Sequence, residues 1–198
     1  MENTIEVDDS RRRFITAAAT VVGGAGVVAG AIPFVATMTP SAKTKAIGAP
    51  IEVDISNLQP GERIIEKWQG KPVWILRRTQ EMLDDITAQN DEVGDPESNS
   101  SAQPSYAKNE YRAIKDEVLV VLGICTHLGC SPNYILKGAE NSPAAEWKGG
   151  FFCPCHGSSF DLAGRVFKGV PAPTNLVVPP YKFLSPTRLL IGDDSGAV

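Results

Sequence analysis

Cys125-Thr126-His127-Leu128-Gly129-Cys130 and Cys153-Pro154-Cys155-His156-Gly157-Ser158 hold every cysteine and both histidines of the chain. Soft and borderline donors gathered into two tight loops read as a metal centre. Cys-x-His and Cys-x-x-His each set two donors on one short loop, so two facing loops supply four ligands. A structural zinc site takes such a tetrahedral set. Against zinc stand the narrow Cys-x-His pair and two further cysteines, Cys130 and Cys155, which a four-ligand zinc leaves unexplained. A 2Fe–2S cluster of mixed ligation uses Cys125 and Cys153 as thiolates on one iron and His127 and His156 as imidazoles on the other. It leaves Cys130 and Cys155 beside the site, either paired or as two buried thiols.

Charge says what such a centre is for. Two ferric ions, two sulfides and two thiolates sum to zero, because neutral imidazoles add nothing. Four thiolates would leave the cluster at minus two, which resists an incoming electron. Mixed ligation therefore lifts the potential, to roughly −150 to +300 mV, a range suited to accepting electrons from a quinol. Each imidazole also keeps a second nitrogen that carries or loses a proton. Oxidised iron acidifies that nitrogen and reduced iron makes it more basic, so electron and proton uptake are coupled.

With these residues in place, the chain resembles the Rieske iron–sulfur subunit of quinol–cytochrome c reductase, the cytochrome bc complex. The resemblance covers nearly the whole chain: both boxes, the Gly169-Val170-Pro171-Ala172-Pro173 segment (169–173), similar to the family's proline-rich loop over the cluster, and an N-terminal anchor. It implies one Rieske 2Fe–2S cluster held by Cys125, His127, Cys153 and His156, with Cys130 and Cys155 as a disulfide. It further implies that the Ser158 hydroxyl bonds a bridging sulfide, that Leu128 and Gly129 form the tip entering the quinol pocket, and that Pro171 belongs to the loop covering the cluster. His127 or His156 would accept a hydrogen bond from quinol and take its proton. One position departs from the pattern. Four residues after the histidine of box two, many members carry a tyrosine whose hydroxyl bonds a ligand sulfur, and this chain has Phe160. Loss of that donor implies a lower potential. The implied partners are cytochrome b-type and c-type subunits in a dimeric complex, outside which the subunit is not catalytic.

The chain is 42% hydrophobic, with a formal net charge of −4. That balance gives no basic patch and no sign of nucleic-acid binding. From Phe14 to Ala42 no residue is charged, and about 20 apolar residues suffice for a transmembrane helix. Gly23, Gly24, Gly26 and Gly30 give that run a small-residue surface suited to close helix packing. Ser10-Arg11-Arg12-Arg13-Phe14-Ile15 matches a twin-arginine signal, a route for proteins folded before export. The arginines place residues 1–13 in the cytoplasm by the positive-inside rule. The run exceeds the usual 7–15 residues of a signal h-region, so residues 14–38 are expected as a retained anchor in the bacterial inner membrane. Residues 39–50, rich in small residues, read as a flexible linker, which the family uses as a hinge. Residues 51–198 are then a periplasmic head, where a disulfide persists.

The head reads as mostly β, in the style of stacked antiparallel sheets with a cluster-binding subdomain formed by loops 125–130 and 153–158. Ile51–Ile55 alternates. Arg63–Trp68 and Pro72–Arg77 flank a Gly70-Lys71 turn. Val118–Leu122 leads into box one and Gly150–Phe152 into box two. Phe160–Leu162 and Arg165–Phe167 flank Ala163-Gly164, and Lys182–Leu184 and Arg188–Ile191 close on Ser185-Pro186. Thr79 caps a helix through Ile86. Asp91–Ser105, rich in Ser, Asn, Asp, Pro and Gly, reads as a mobile, solvated surface loop. Trp68, Trp74 and Trp147 read as core. Two other classes remain open: a Rieske-bearing periplasmic oxidoreductase of the arsenite oxidase kind, and a membrane-tethered β module stabilised by zinc.

Overall fold

Apolar alternation and turn chemistry build three antiparallel sheets of three strands each in the head. The computed structural model describes residues 8–197, so residues 1–7 of the expected cytoplasmic segment, and Val198, lie outside the described residues. The first sheet orders β1 (Ile51–Asp54), β9 (Arg188–Ile191) and β8 (Tyr181–Ser185). The second joins β2 (Arg63–Trp68), β3 (Lys71–Arg77) and β4 (Val118–Leu122). The third, β5 (Asn133–Ile135), β6 (Gly150–Cys153) and β7 (Ser158–Phe160), carries the box-two hairpin. Every residue of β4 is buried, and its end is covered where the Leu122 amide donates to the Val177 carbonyl at 2.8 Å. Such wholly apolar strands are buried on both faces.

The chain divides into two compact units, Met1–Ala46 and Ile47–Val198. In the first, α1 (Asp9–Thr37) starts on Asp8, whose carboxylate accepts from the amides of Ser10 and Arg11. This is the N-cap that acidic residues favour. All of α1 is exposed, including Phe14, Val21 and Phe34. Within the segment read as a linker, a short α2 (Ala42–Ile47) forms between Pro40 and Pro50. The Ser41 hydroxyl accepts from the Thr44 amide at its start.

Three details differ from the sequence reading. The hairpin turn is Gln69-Gly70, one residue earlier than expected, with φ of +51° and +75°. Left-handed values at both central residues are what a two-residue hairpin turn needs, and Lys71 pairs with Trp68 instead. Arg165–Phe167 makes isolated bridges, Phe160 to Val166 and Val93 to Phe167, rather than a strand, and the strand expected over Phe160–Leu162 is β7, which ends at Phe160. Asp91–Ser105 lies largely at the surface as expected, but it is pinned from within: Val93 and Ser98 are buried, and the Asp95 carboxylate accepts from the amides of Asn99 and Ser100. Part of its polar composition serves internal hydrogen bonds as well as water. As expected, α3 (Gln80–Thr87) is capped by Thr79, and the three tryptophans are buried.

Beneath α3 lies a buried charge cluster. Arg165 and Asp161 pair at 2.7 Å with both side chains fully buried, and Asp161 also accepts from the amides of Ala163 and Arg165. Arg78 and Arg112 are buried nearby, satisfied mostly by backbone carbonyls. Burial pushes both guanidinium groups down to about 10, with Asp161 pulling the other way, so both stay charged at neutral pH. Breaking a buried pair strands a charge without compensation. Asp161→Ala is therefore expected to lower the stability of the full chain by about 3–5 kcal/mol, read from denaturant unfolding in detergent. A loss under about 1 kcal/mol, the scale of an exposed pair, would contradict the account.

Candidate metal centre

Both boxes fold to one local plan. In box one the Gly129 amide donates to the Cys125 carbonyl, and in box two the Gly157 amide donates to the Cys153 carbonyl, each at 3.0 Å. Gly129 and Gly157 take φ of +84° and +77°, a region that glycine enters without steric cost. Each loop thus reverses four residues after its first cysteine. The Cys125 amide then donates to the Cys130 carbonyl at 2.7 Å, closing box one. Box two is the turn of the β6–β7 hairpin, with Cys153 facing Ser158 and Phe151 facing Phe160. The loops rest on a common floor: Trp74 of β3 stacks on Phe151 of β6 with ring centroids 5.0 Å apart.

The structure joins Cys130 to Cys155 in a disulfide, one partner from each box. Cys125 and Cys153 remain free and buried. Burial pushes the Cys153 thiol up, opposed by backbone amides of Cys155 and His156 that donate toward it, and neighbouring Cys125 raises it further. A buried thiol pushed up in this way stays protonated unless a cation is bound against it. The imidazoles of His127 and His156 meet edge to face, with ring centroids 4.7 Å apart. His127 Nδ1 is buried with no hydrogen-bond partner, an arrangement that is costly for a polar atom and ordinary for a metal ligand. The donor set therefore fits a binuclear iron centre of mixed ligation. The sulfurs of Cys130, Cys153 and Cys155 lie within 4.8 Å of one another, which sets the disulfide directly against one thiol of the site.

The remaining site residues fall around these donors. Ser158 is fully buried and its hydroxyl accepts from the Ala172 amide at 3.0 Å, so it reaches the proline loop. Pro171, next to it, is exposed, and Phe160 is fully buried in the core cluster that also contains Cys125 and Cys153. Leu128 is 70% exposed, more than any other large apolar side chain described in the head. Two contributors escaped the sequence reading. The Thr126 hydroxyl donates to the Thr174 carbonyl at 2.6 Å, tying box one to the far end of the proline loop. Asn175, fully buried, accepts from the Val166 amide and so bridges that loop's two stems. Thr126 sits inside a ligand motif as a spacer, and a lone Asn after a proline loop carries no spacing signal.

Fold and donor set together define a Rieske-type iron–sulfur protein: residues 95–182 match the family model described as the Rieske [2Fe-2S] domain. Residues 1–41 match the model described as the ubiquitinol–cytochrome c reductase Fe-S subunit TAT signal. The ubiquinol–cytochrome c reductase iron-sulfur subunit of Allochromatium vinosum is 52% identical over 191 residues, 96% of this chain and 92% of that protein. The subunit of the same name from Blastochloris viridis is 43% identical over 192 residues, 97% and 98% of the two chains. A chain of a solved structure titled hyperthermophilic respiratory Complex III aligns with 26% identity and a TM-score of 0.48, over 88% of this chain and 98% of that one. The chain belongs to the iron–sulfur subunits of ubiquinol–cytochrome c reductase. That membership sets aside the zinc module and the arsenite oxidase kind of enzyme.

Metal analysis checks the donor set. Purified full chain is expected to carry two irons and two acid-labile sulfides, with both lost from Cys125→Ser and from His156→Ala. Iron and sulfide surviving either change would remove that residue from the ligand set.

Proposed function

We propose that the chain carries electrons from quinol to a c-type cytochrome, with Cys125 and Cys153 holding one iron and His127 and His156 the other. The observation that carries this reading is the division of the site: two thiols buried and two imidazoles in edge-to-face contact, with His156 exposed and Leu128 projecting beside them. When bound, the 2Fe–2S cluster supplies a one-electron acceptor of raised potential. The exposed imidazole then accepts a hydrogen bond from the quinol hydroxyl and takes its proton. Leu128 and Gly129 dock the tip in a pocket completed by a cytochrome b-type subunit. Buried Ser158, whose hydroxyl accepts from the Ala172 amide, keeps its one proton to donate to an acceptor in the site, and the Cys130–Cys155 disulfide keeps the two loops from parting when the tip docks. Residues 169–173 cover the buried side from water.

The helix α1 supports a retained anchor. Within the helical stretch Asp9–Ile47 an 18-residue window reaches a mean hydropathy of 1.9, long and apolar enough to cross a membrane, and none of that window is buried. Residues 14–38 would span the inner membrane, with the head, residues 51–198, in the periplasm and residues 1–13 in the cytoplasm. Residues 39–50 would act as the hinge. A helix as short as α2 has little stability of its own in water. Stretching its six residues from helical to extended geometry gains about 11 Å of reach. That scale suits a head that visits two partners.

Two experiments test the reading. Phe160→Tyr restores a hydroxyl at a fully buried position beside box two, so the cluster midpoint is expected to rise in redox titration; an unchanged or lower value contradicts the role given to this position. Replacing Thr44 and Ala46 together with proline blocks the helical form of the hinge. Quinol-to-cytochrome turnover is expected to fall several-fold with the midpoint unchanged, and full turnover would remove the hinge role.

A further inference from the structure

We infer that the segment of residues 91–102 is a bracket that sets the height of the proline loop above the ligand loops, with Ser101, Asn175 and Arg112 as positioning residues. The inference rests on the reading of Ser158 and the proline loop given above. Both stems of the proline loop are held by this one segment. On the entering stem, the Gly94 amide donates to the Val166 carbonyl at 2.8 Å, and the Lys168 amide donates to the Glu92 carbonyl at 2.9 Å. Val93 bridges Phe167 between them. On the leaving stem, the Asn175 amide donates to the Ser101 hydroxyl at 3.1 Å, and the Asn175 side-chain amide donates to the Asp95 carbonyl at 2.9 Å and the Ser98 hydroxyl at 3.1 Å. The Val178 amide donates to the Ala102 carbonyl just beyond.

Asn175 closes the frame, because its oxygen accepts from the Val166 amide on the opposite stem at 2.9 Å. Arg112 locks it from behind. Its Nε donates to the Ser98 hydroxyl at 2.7 Å and its Nη2 to the Leu176 carbonyl at 2.6 Å. Ser98 and Arg112 both take φ of +54°, a conformation uncommon outside glycine. A backbone held there by two buried, mutually bonded side chains is over-determined by its surroundings. The Ser101 hydroxyl is itself fixed, donating to the Asp95 carboxylate at 2.7 Å.

The frame ends at the site. Between its stems the Ala172 amide donates to the Ser158 hydroxyl and the Thr174 carbonyl accepts from Thr126. A hydroxyl that accepts a hydrogen bond is polarised as a donor, so the position of Ala172 sets how strongly Ser158 donates to an acceptor in the site. A relaxed bracket lets Ala172 drift, weakens that donation and lowers the potential. The segment thereby acts on electron transfer without touching a ligand.

The test uses the full chain in its membrane complex, read by redox titration of the cluster's EPR signal and by amide hydrogen exchange over residues 166–178. Ser101→Ala is expected to lower the midpoint and to speed exchange at Ala172 and Asn175 at least tenfold, whereas Ser101→Thr keeps both at parent values. Arg77→Met, which removes a bond to the Leu58 carbonyl elsewhere in the head, should move neither. Parent values in Ser101→Ala, or an equal drop in Arg77→Met, would overturn the bracket. Should Ser101→Ala fail to accumulate, Lys168→Met removes only the bond from Lys168 Nζ to the Asp91 carbonyl and is expected to act in the same direction. Ser158→Ala separates the two levels: no change in its midpoint sinks the reading of Ser158, while a drop there with none in Ser101→Ala sinks the bracket alone.

Discussion

Two loops with little apolar core of their own must keep four donors facing one another, and the rest of the head is arranged around that constraint. Each loop reverses through a glycine-closed turn, but a turn fixes only its own backbone. The relation between the loops is set by the Cys130–Cys155 bond and by the Trp74–Phe151 stack beneath. A cross-link between residues 25 apart restricts the unfolded chain and, more to the point here, the opening of the site.

A second layer of polar side chains works at longer range. Arg78, Arg112 and Arg165 are buried around Asp161, the one buried carboxylate among the described residues, and spend donors on carbonyls of loops and of the last turn of α3. Sheets satisfy their own backbone, whereas irregular segments leave carbonyls that need partners when buried. The arginines meet that need for residues 161–165 and for the chain after the proline loop. The polar interior therefore holds the irregular part of the head, and the apolar interior holds the sheets.

Much of this was legible in the sequence because the ligand boxes are dense and local. The Cys-x-His and Cys-x-x-His boxes point to the Rieske class by residue type and spacing, and the strands entering each box are short apolar runs. The errors have physical causes. Gln69 takes a left-handed conformation that its side chain does not advertise, which moved the hairpin turn by one residue. Three-residue β5 is too short to leave a pattern. Asp91–Ser105 has the composition of a solvated loop, but the Gly94 amide, the Asp95 carbonyl and the Ser98 and Ser101 hydroxyls bond residues more than 70 positions away, as Ser101 does with Asn175. Composition records that a segment is polar; it does not record whether water or protein meets that polarity.

Everything proposed for the head turns on one inner structure, a binuclear cluster bound by two sulfurs and two nitrogens of this chain. Hyperfine spectroscopy of the dithionite-reduced protein, compared with and without 15N-labelled histidine, addresses it most directly. Two distinct nitrogen couplings that change with the label are the result the account requires. A reduced protein without a paramagnetic signal, or with a signal showing one histidine coupling or none, would contradict it.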